Sequence, residues 1–166
     1  MKKIAIAAVL SAFAATPAIA GDVYFGANLG QNKIDVSTVK ASTTYGVLGG
    51  YAFNNNIAAE VAYTDLGSAE RNFSPDKLTG NVISIAAVGS LPLSKDFSLF
   101  AKLGYAQSKI EVPGISETKS DLTYGVGAQY NATNSVGIRL GYDSFKVGTS
   151  NTKDSALITI GAVFKL

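Results

Sequence analysis

Hydrophobic and polar residues alternate along most of the chain, and the pattern is clearest in the final segment, Ser155–Leu166. At period two, one face of this segment carries Ala156, Ile158, Ile160, Ala162, Phe164 and Leu166. An unbroken alternation that is rich in β-branched and aromatic residues predicts one long strand. Such an apolar strand at the edge of a sheet would promote aggregation. The pattern therefore favours pairing of the last strand with the first, which closes a barrel.

The same alternation recurs in seven earlier segments, and no segment between them has a convincing helical period. We predict strands at Val23–Gly30, Thr44–Phe53, Ile57–Thr64, Asn81–Leu91, Phe97–Ala106, Leu122–Tyr130, Ser135–Asp143 and Ser155–Leu166. The connections alternate strictly between long and short. The long ones, which we predict to be loops, are Gln31–Thr43, Asp65–Gly80, Gln107–Ser120 and Ser144–Asp154. Up-and-down membrane barrels have this asymmetry, with short turns on one side and long loops on the other.

The two faces of these strands differ in bulk as well as in polarity. The more apolar face is usually the bulkier one, whereas the other carries small and polar residues and the mid-strand charges Glu60, Lys102 and Arg139. Eight strands enclose a space only just wide enough for side chains, so the smaller face fits inside. The bulky apolar face then points outward, as in a lipid-embedded barrel and unlike a soluble lipocalin. The sequence predicts an all-β fold, an eight-stranded antiparallel up-and-down transmembrane β-barrel.

Aromatic residues near the strand ends agree with a barrel that spans a bilayer. One group lies near the short turns and the other near the long connections. The first group is Tyr51, Phe53, Phe97, Tyr130 and Phe164, and the second is Tyr45, Tyr63, Tyr105, Tyr124 and Tyr142. Two such belts are typical of the two membrane interfaces. The alternative is that these residues are ordinary strand formers.

The first twenty residues do not follow the barrel pattern. Lys2 and Lys3 precede an apolar run, and Ala18-Ile19-Ala20 forms an A-x-A cleavage site. This arrangement predicts a cleaved signal peptide over residues 1–20, followed by one barrel domain over residues 21–166; a signal-anchor helix is the alternative.

Without Lys2 and Lys3, 12 of the 14 basic residues remain and balance the 12 acidic ones. The charge therefore gives no reason to expect a nucleic-acid partner.

Several strand motifs occur in a fixed order along residues 21–166. They are V-Y-F-G-A-N-L-G, G-V-L-G-G-Y-A-F, A-A-E-V-A-Y-T-D-L-G, F-A-K-L-G-Y and V-G-I-R-L-G-Y, in strands one, two, three, five and seven. Together they resemble the eight-stranded outer-membrane barrels grouped with the OmpA transmembrane domain and OmpX-like surface proteins. The resemblance implies an integral protein of the outer membrane of a Gram-negative cell.

The mid-strand charges Glu60, Lys102 and Arg139 fall on the predicted inner face together with Gln129. A lone buried charge is costly, so we expect these side chains to pair with one another. The resemblance implies that Glu60 and Arg139 stand at the positions of a carboxylate and a guanidinium that pair across the lumen in the family. A family lysine on strand four corresponds here to Val88. Such a network either fills the barrel or lines a gated ion path.

The C-terminal residues resemble the signal that the outer-membrane assembly machinery reads, polar-x-Gly-x-x-aromatic-x-hydrophobic. Thr159, Gly161, Phe164 and Leu166 occupy its four named positions. Family members usually end on an aromatic residue, and Leu166 departs from that pattern. The resemblance implies the assembly machinery as a partner.

The residue types present point away from catalysis. The chain has no histidine, the general base of the outer-membrane barrel acyltransferases and deacylases, and no cysteine for disulfides. No metal-ligand cluster appears in the sequence, and we expect no enzyme, no metal and no cofactor.

We expect a monomer in outer-membrane lipid with a structural or adhesive role, its four loops available for a surface ligand. The alternatives are a small low-conductance pore and a soluble periplasmic barrel that binds a hydrophobic ligand.

Overall fold

The computed structural model describes residues 22–34, 42–71, 74–112, 115–147 and 153–166. They form eight strands: β1 Asp22–Ile34, β2 Ser42–Ala52, β3 Ile57–Arg71, β4 Ser74–Pro92, β5 Phe97–Val112, β6 Ile115–Asn131, β7 Val136–Val147 and β8 Lys153–Lys165. Each strand pairs with its sequence neighbours, and the order closes into a barrel. β8 lies antiparallel to β1, with Phe164 opposite Phe25. The predicted fold and the predicted closure by the last strand are confirmed. The predicted signal peptide, residues 1–20, lies outside the described residues.

The outward face of the barrel is a continuous apolar surface. Ile85, Leu103 and Leu140 are 60%, 58% and 53% exposed. Water-soluble monomers rarely expose apolar patches of this extent, whereas a membrane barrel turns them to lipid. Tyr63 lies in the same outward row as Val61 and opposite Val47 and Ile83, but it is only 7% exposed. No helix in the described ranges is long and apolar enough to span a membrane.

The apolar band has a definite upper limit. On β5 the outward row is apolar from Phe97 to Tyr105, a length that fits the ~9–11 residues of a transmembrane strand. The next outward residue, Gln107, pairs with Ser120 of β6, and its Nε2 donates a hydrogen bond of 3.5 Å to the Ser120 hydroxyl. The strands therefore continue beyond the apolar band into polar surroundings.

Two of the predicted loops are largely strand. The β3–β4 ladder continues to the pair Arg71–Ser74 and the β5–β6 ladder to Val112–Ile115, so the predictions of loops at Asp65–Gly80 and Gln107–Ser120 were wrong. The apolar row that predicts the fifth strand ends at Tyr105, because the next odd-numbered positions of β5 carry Gln107, Lys109 and Glu111. The backbone groups still pair, since cross-strand hydrogen bonding does not depend on which face is apolar.

The other two predicted loops are shortened from both sides. β1 extends to Ile34 and β2 begins at Ser42, while β7 extends to Val147 and β8 begins at Lys153. The central parts of Gln31–Thr43 and Ser144–Asp154 lie outside the described residues.

Each short turn is closed by one side-chain oxygen. Asn54 Oδ1 accepts hydrogen bonds from the N–H groups of Asn56 and Ile57, at 2.8 and 2.9 Å. The hydroxyl oxygens of Ser94 and Thr133 likewise accept hydrogen bonds from the backbone N–H groups two and three residues later. Side chains of these types favour turns because they replace a backbone acceptor. The three turns form one end of the barrel, called here the short-turn end.

Candidate functional sites in the lumen and at the long-hairpin end

An ion pair between β3 and β7 crosses the lumen. Arg139 Nη1 donates a hydrogen bond to Glu60 Oε1, and their side chains are only 12% and 4% exposed. The hydroxyl of Tyr24 on β1 donates to the same oxygen at 2.7 Å. Two donors thus serve one buried carboxylate, which offsets much of the cost of removing the charge from water.

Gln129 extends this network toward the short-turn end. It lies directly opposite Arg139 on the neighbouring strand β6. Its Oε1 accepts hydrogen bonds from Arg139 Nε at 3.1 Å and Arg139 Nη2 at 2.9 Å, and its Nε2 donates to Asn131 Oδ1 at 2.8 Å. Both ends of the Gln129 amide are therefore used, and the orientation of the guanidinium is fixed from two sides.

Apolar and aromatic side chains surround the ion pair. The Arg139 guanidinium carbon lies 4.7 Å from the centroid of the Phe100 ring, within cation–π range. Gly127 makes room for this ring, because a Cβ there would meet both Phe100 and the carbonyl oxygen of Leu140. The buried cluster around them comprises Tyr24, Leu48, Ala58, Val88, Phe100 and Val163. The lumen is thus more apolar than the small, polar inner face expected from the sequence.

The four predicted lumen residues are not all joined directly. Lys102, expected to pair with the other three, instead forms an ion pair of 2.8 Å with Asp143, and both side chains are less than one-fifth exposed. Asp143 is the last residue of the predicted seventh strand and is not among the predicted lumen residues. Its period-two spacing from Arg139 would have assigned it to the lumen. Tyr24 and Asn131 are the other partners that the sequence reading missed.

Cavities lie on both sides of the network. A cavity of about 380 Å³ lies at the short-turn end, and Arg139, Gln129 and Phe100 contribute to its wall. A smaller cavity of about 60 Å³ lies on the other side, lined by Glu60, Lys102 and Asp143 among others. The positive and negative partners of the central ion pair therefore border different cavities.

Within the described residues, the ladders close the barrel only over part of its height. The β6–β7 ladder ends at the pair Thr123–Phe145, although the β5–β6 ladder continues to Val112–Ile115. On the opposite side, the β2–β3 ladder ends at Tyr45–Asp65, although β3 and β4 remain paired to Arg71–Ser74. Above these levels β3, β4, β5 and β6 form a separate four-stranded sheet, called here the open sheet.

One edge of the open sheet is a long stretch of β6. Within the described residues, β7 provides no ladder partner for β6 from Ile115 to Leu122. At about 3.4 Å per residue, this edge is roughly 25 Å long. Thr118 and Ser120 lie on it and are exposed. An unpaired edge of this length is a template for a further strand.

The residues of the predicted assembly signal lie in the second half of β8 and at the residue after it. Thr159 and Gly161 belong to the inward row. Phe164 stacks on Phe25 with ring centroids 5.4 Å apart, and the Leu166 N–H donates to the Val23 carbonyl at 2.9 Å. These contacts place all four residues at the seam between the last strand and the first. Their reading by the assembly machinery stays a prediction.

A scan of protein families matches residues 5–165 to the outer membrane protein beta-barrel domain. The chain belongs to this family. It is accordingly an outer-membrane protein. In outer-membrane barrels the short turns face the periplasm and the longer connections face the cell exterior. A search of curated proteins found no match. Among the described residues there is no group of three or more side chains suited to hold a metal ion.

Solved structures of outer-membrane barrels share this fold. The attachment invasion locus protein Ail of Yersinia pestis is 20% identical, with a TM-score of 0.55, over 88% of this chain and 97% of Ail. The N-terminal barrel domain of Pseudomonas aeruginosa OprF is 14% identical, with a TM-score of 0.62, over 88% and 99%. Neisserial surface protein A is 18% identical, with a TM-score of 0.58, over 88% and 97%. At these identities the likeness concerns the fold.

Proposed function

We propose that this protein is a surface-contact barrel, in which a rigid membrane domain presents the open sheet to a ligand or to another cell. The observation that carries the proposal is the β6 edge from Ile115 to Leu122, for which β7 provides no ladder partner within the described residues. Recognition elements are commonly displayed in this way, at the end of a rigid scaffold. The proposal involves no catalytic step, in keeping with a chain that lacks histidine.

The backbone groups available at this edge follow from the ladder. The Asn131 N–H donates to the carbonyl of Asp96, on the β5 side. Backbone groups of successive residues point to opposite neighbours in an antiparallel sheet, and the β5–β6 register has no shift. Even-numbered residues of β6 therefore direct their N–H and C=O groups toward β7. In the unpaired segment, these residues are Ser116, Thr118, Ser120 and Leu122.

An extended segment of a partner could pair with these groups by strand addition, a mode in which main-chain hydrogen bonds supply the affinity. Ail is named as an attachment and invasion protein, and Neisserial surface protein A is named as a surface protein. Such roles in proteins of the same fold support a contact function for this chain.

The packed lumen disfavours the alternative of a small pore. Val88, Val163, Phe100 and Tyr24 are 2–6% exposed and lie around the Glu60–Arg139 pair. An ion would have to displace both this pair and the aromatic rings to cross the barrel. A soluble barrel that binds a hydrophobic ligand is excluded by the outer-membrane location.

Replacement of Ser120 by proline tests the surface-contact function. Proline removes the edge-facing N–H, and sheet edges tolerate it where that N–H is unpaired. Bacteria that display the wild-type protein should be retained on cultured epithelial cells or on immobilised fibronectin, laminin or collagen. Because one main-chain hydrogen bond contributes about 0.5–1.5 kcal/mol, Ser120→Pro should weaken the binding of the purified protein to that target about two- to tenfold.

Ser120→Ala is the matched control. It removes the hydroxyl that accepts from Gln107, as proline does, but it keeps the backbone N–H. We expect wild-type binding from the alanine variant and equal surface levels of all three proteins by heat-modifiable gel mobility. Lack of retention of wild-type cells on every surface would contradict the proposed function. Equal binding by the proline and alanine variants would contradict the role of the β6 edge.

We also propose that the chain is inserted as a monomer into outer-membrane lipid by the assembly machinery, through the C-terminal signal Thr159, Gly161, Phe164 and Leu166. Support comes from their position at the β1–β8 seam, where the last strand must be placed for the barrel to close.

A further inference from the structure

The cavity at the short-turn end, called here the periplasmic cavity, is lined by polar residues at its mouth and by basic residues both at its mouth and further in. Its volume of about 380 Å³ lies within the range of small-ligand sites. Asn54, Ser94, Ser98 and Asn131 provide polar groups in its wall. Deeper in the cavity, Phe100 and Val163 give it an apolar inner end. A polar entrance above an apolar inner end is typical of a ligand pocket.

Basic residues outnumber acidic ones among the residues that line this cavity, and one of them, Arg139, is already paired with Glu60. Lys95, Lys165 and Arg139 line it, and Asp22 is the one carboxylate among its lining residues. Lys95, Lys165 and Asp22 are all exposed at the periplasmic mouth. The structure shows no ion pair of either lysine within the described part of the chain.

The central ion pair adds to this polarity. Arg139 borders the periplasmic cavity, whereas its partner Glu60 borders the cavity on the extracellular side. Arg139 therefore contributes a guanidinium to the wall of the periplasmic cavity, whereas the carboxylate of Glu60 does not line it. Gln129 and Asn131 continue from Arg139 toward the mouth as a hydrogen-bonded row. Fixed cations in a concave wall concentrate anions locally.

We propose that this cavity is a periplasm-facing binding site for a small organic anion, one that carries carboxylate or phosphate groups. Lys95 and Lys165 attract the anion at the mouth, and the amide of Asn131 provides a hydrogen-bond donor further in. Asp22 opposes binding and sets a limit on the affinity. The packed lumen closes the site toward the exterior, so the ligand enters and leaves from the periplasm. This site is independent of the open sheet and of the proposed surface contact.

Titration of the folded full-length protein in nanodiscs tests the site. The probes are citrate and glucose 6-phosphate, with glucose as the uncharged control, and binding is followed by amide chemical shifts. We expect both anions, but not glucose, to shift the signals of Asn54, Ser94 and Asn131 and to leave Thr118 and Ser120 unchanged. Added salt should weaken the binding, because the lysines at the mouth are exposed to solvent.

Charge variants give the decisive result. Lys95→Gln and Lys165→Gln should each weaken citrate binding about two- to fivefold, the range for an exposed charge pair. Asp22→Asn should strengthen it by a similar factor, a gain that misfolding cannot produce. Lys109→Gln on the extracellular extension is the matched control and should have no effect. The proposal is overturned if neither anion shifts these signals, or if binding does not respond to the charges at positions 22, 95 and 165.

Discussion

Removal of the guanidinium at position 139 should destabilise the barrel more than removal of the ammonium group at position 102. Arg139→Met leaves the carboxylate of Glu60, 4% exposed, with Tyr24 as its remaining donor, and it removes two hydrogen bonds to Gln129. Loss of one partner from a buried ion pair costs about 3–5 kcal/mol, because the other charge is left without compensation. We expect the free energy of unfolding to fall by about that amount.

The matched control is Lys102→Met, at the second ion pair of the same lumen. The side chains of Lys102 and Asp143 are 19% and 18% exposed, so Asp143 stays within reach of water when its partner is lost. We expect a loss of about 1 kcal/mol. The double variant Glu60→Leu with Arg139→Met should recover most of the stability that the single change at 139 loses, because apolar side chains often replace a buried pair without net cost.

Equilibrium urea unfolding in detergent micelles provides the measurement. The chain has no tryptophan, so far-ultraviolet circular dichroism and heat-modifiable gel mobility are the signals to follow. The reasoning is refuted if Arg139→Met and Lys102→Met lose the same free energy. It is also refuted if the double variant is less stable than Arg139→Met alone, since that would show that the buried charge is not the source of the loss.

Three further expectations concern assembly, the lipid-facing surface and conductance. Deletion of Phe164 to Leu166 should block insertion into the outer membrane, because it removes the β8 end of the β1–β8 seam; normal surface levels of the truncated protein would contradict this. Leu103→Arg places a charge on a side chain that is 58% exposed in the apolar band and should cost about 2–4 kcal/mol in urea unfolding from lipid vesicles, whereas Gln107→Arg, above the band, should cost about 1 kcal/mol or less. In planar bilayers the wild-type protein should show no steady open channel, because Phe100 and Val88 are packed around the ion pair; a stable, ion-selective current that Glu60→Gln abolishes would favour the pore instead.

The barrel core was predictable because lipid imposes a strict pattern on it. Each transmembrane strand has one face in hydrocarbon and one in a narrow lumen, so bulk and polarity alternate at period two, as in Ile83 and Ile85 against Val82 and Ser84. The position of Glu60 and Arg139 on the inner face followed from the same alternation. The pairing of Lys102 with Asp143 did not follow from this alternation, because strand register decides which inward residues meet across the barrel.

The extracellular extensions were not predictable, because the period-two pattern of the transmembrane strands does not continue into them. Beyond Tyr105 and before Leu122 the hairpin is rich in polar residues, so its sequence predicts a loop although its backbone is paired as strand. The unpaired β6 edge depends on where the ladder with β7 stops, at Thr123–Phe145. That limit is a property of backbone pairing, which leaves no mark on side-chain composition.

Amide hydrogen exchange along β6 tests the open edge most directly. In nanodiscs, the N–H groups of Thr118 and Ser120 should exchange rapidly, while those of Lys119 and Asp121, which face β5, should be protected. From Tyr124 to Tyr130, where β6 is paired on both sides, all amides should be protected. Uniform protection from residue 118 to residue 121 would show that the edge is covered, and uniform rapid exchange would show that the open sheet is absent; either result would contradict the proposed contact surface.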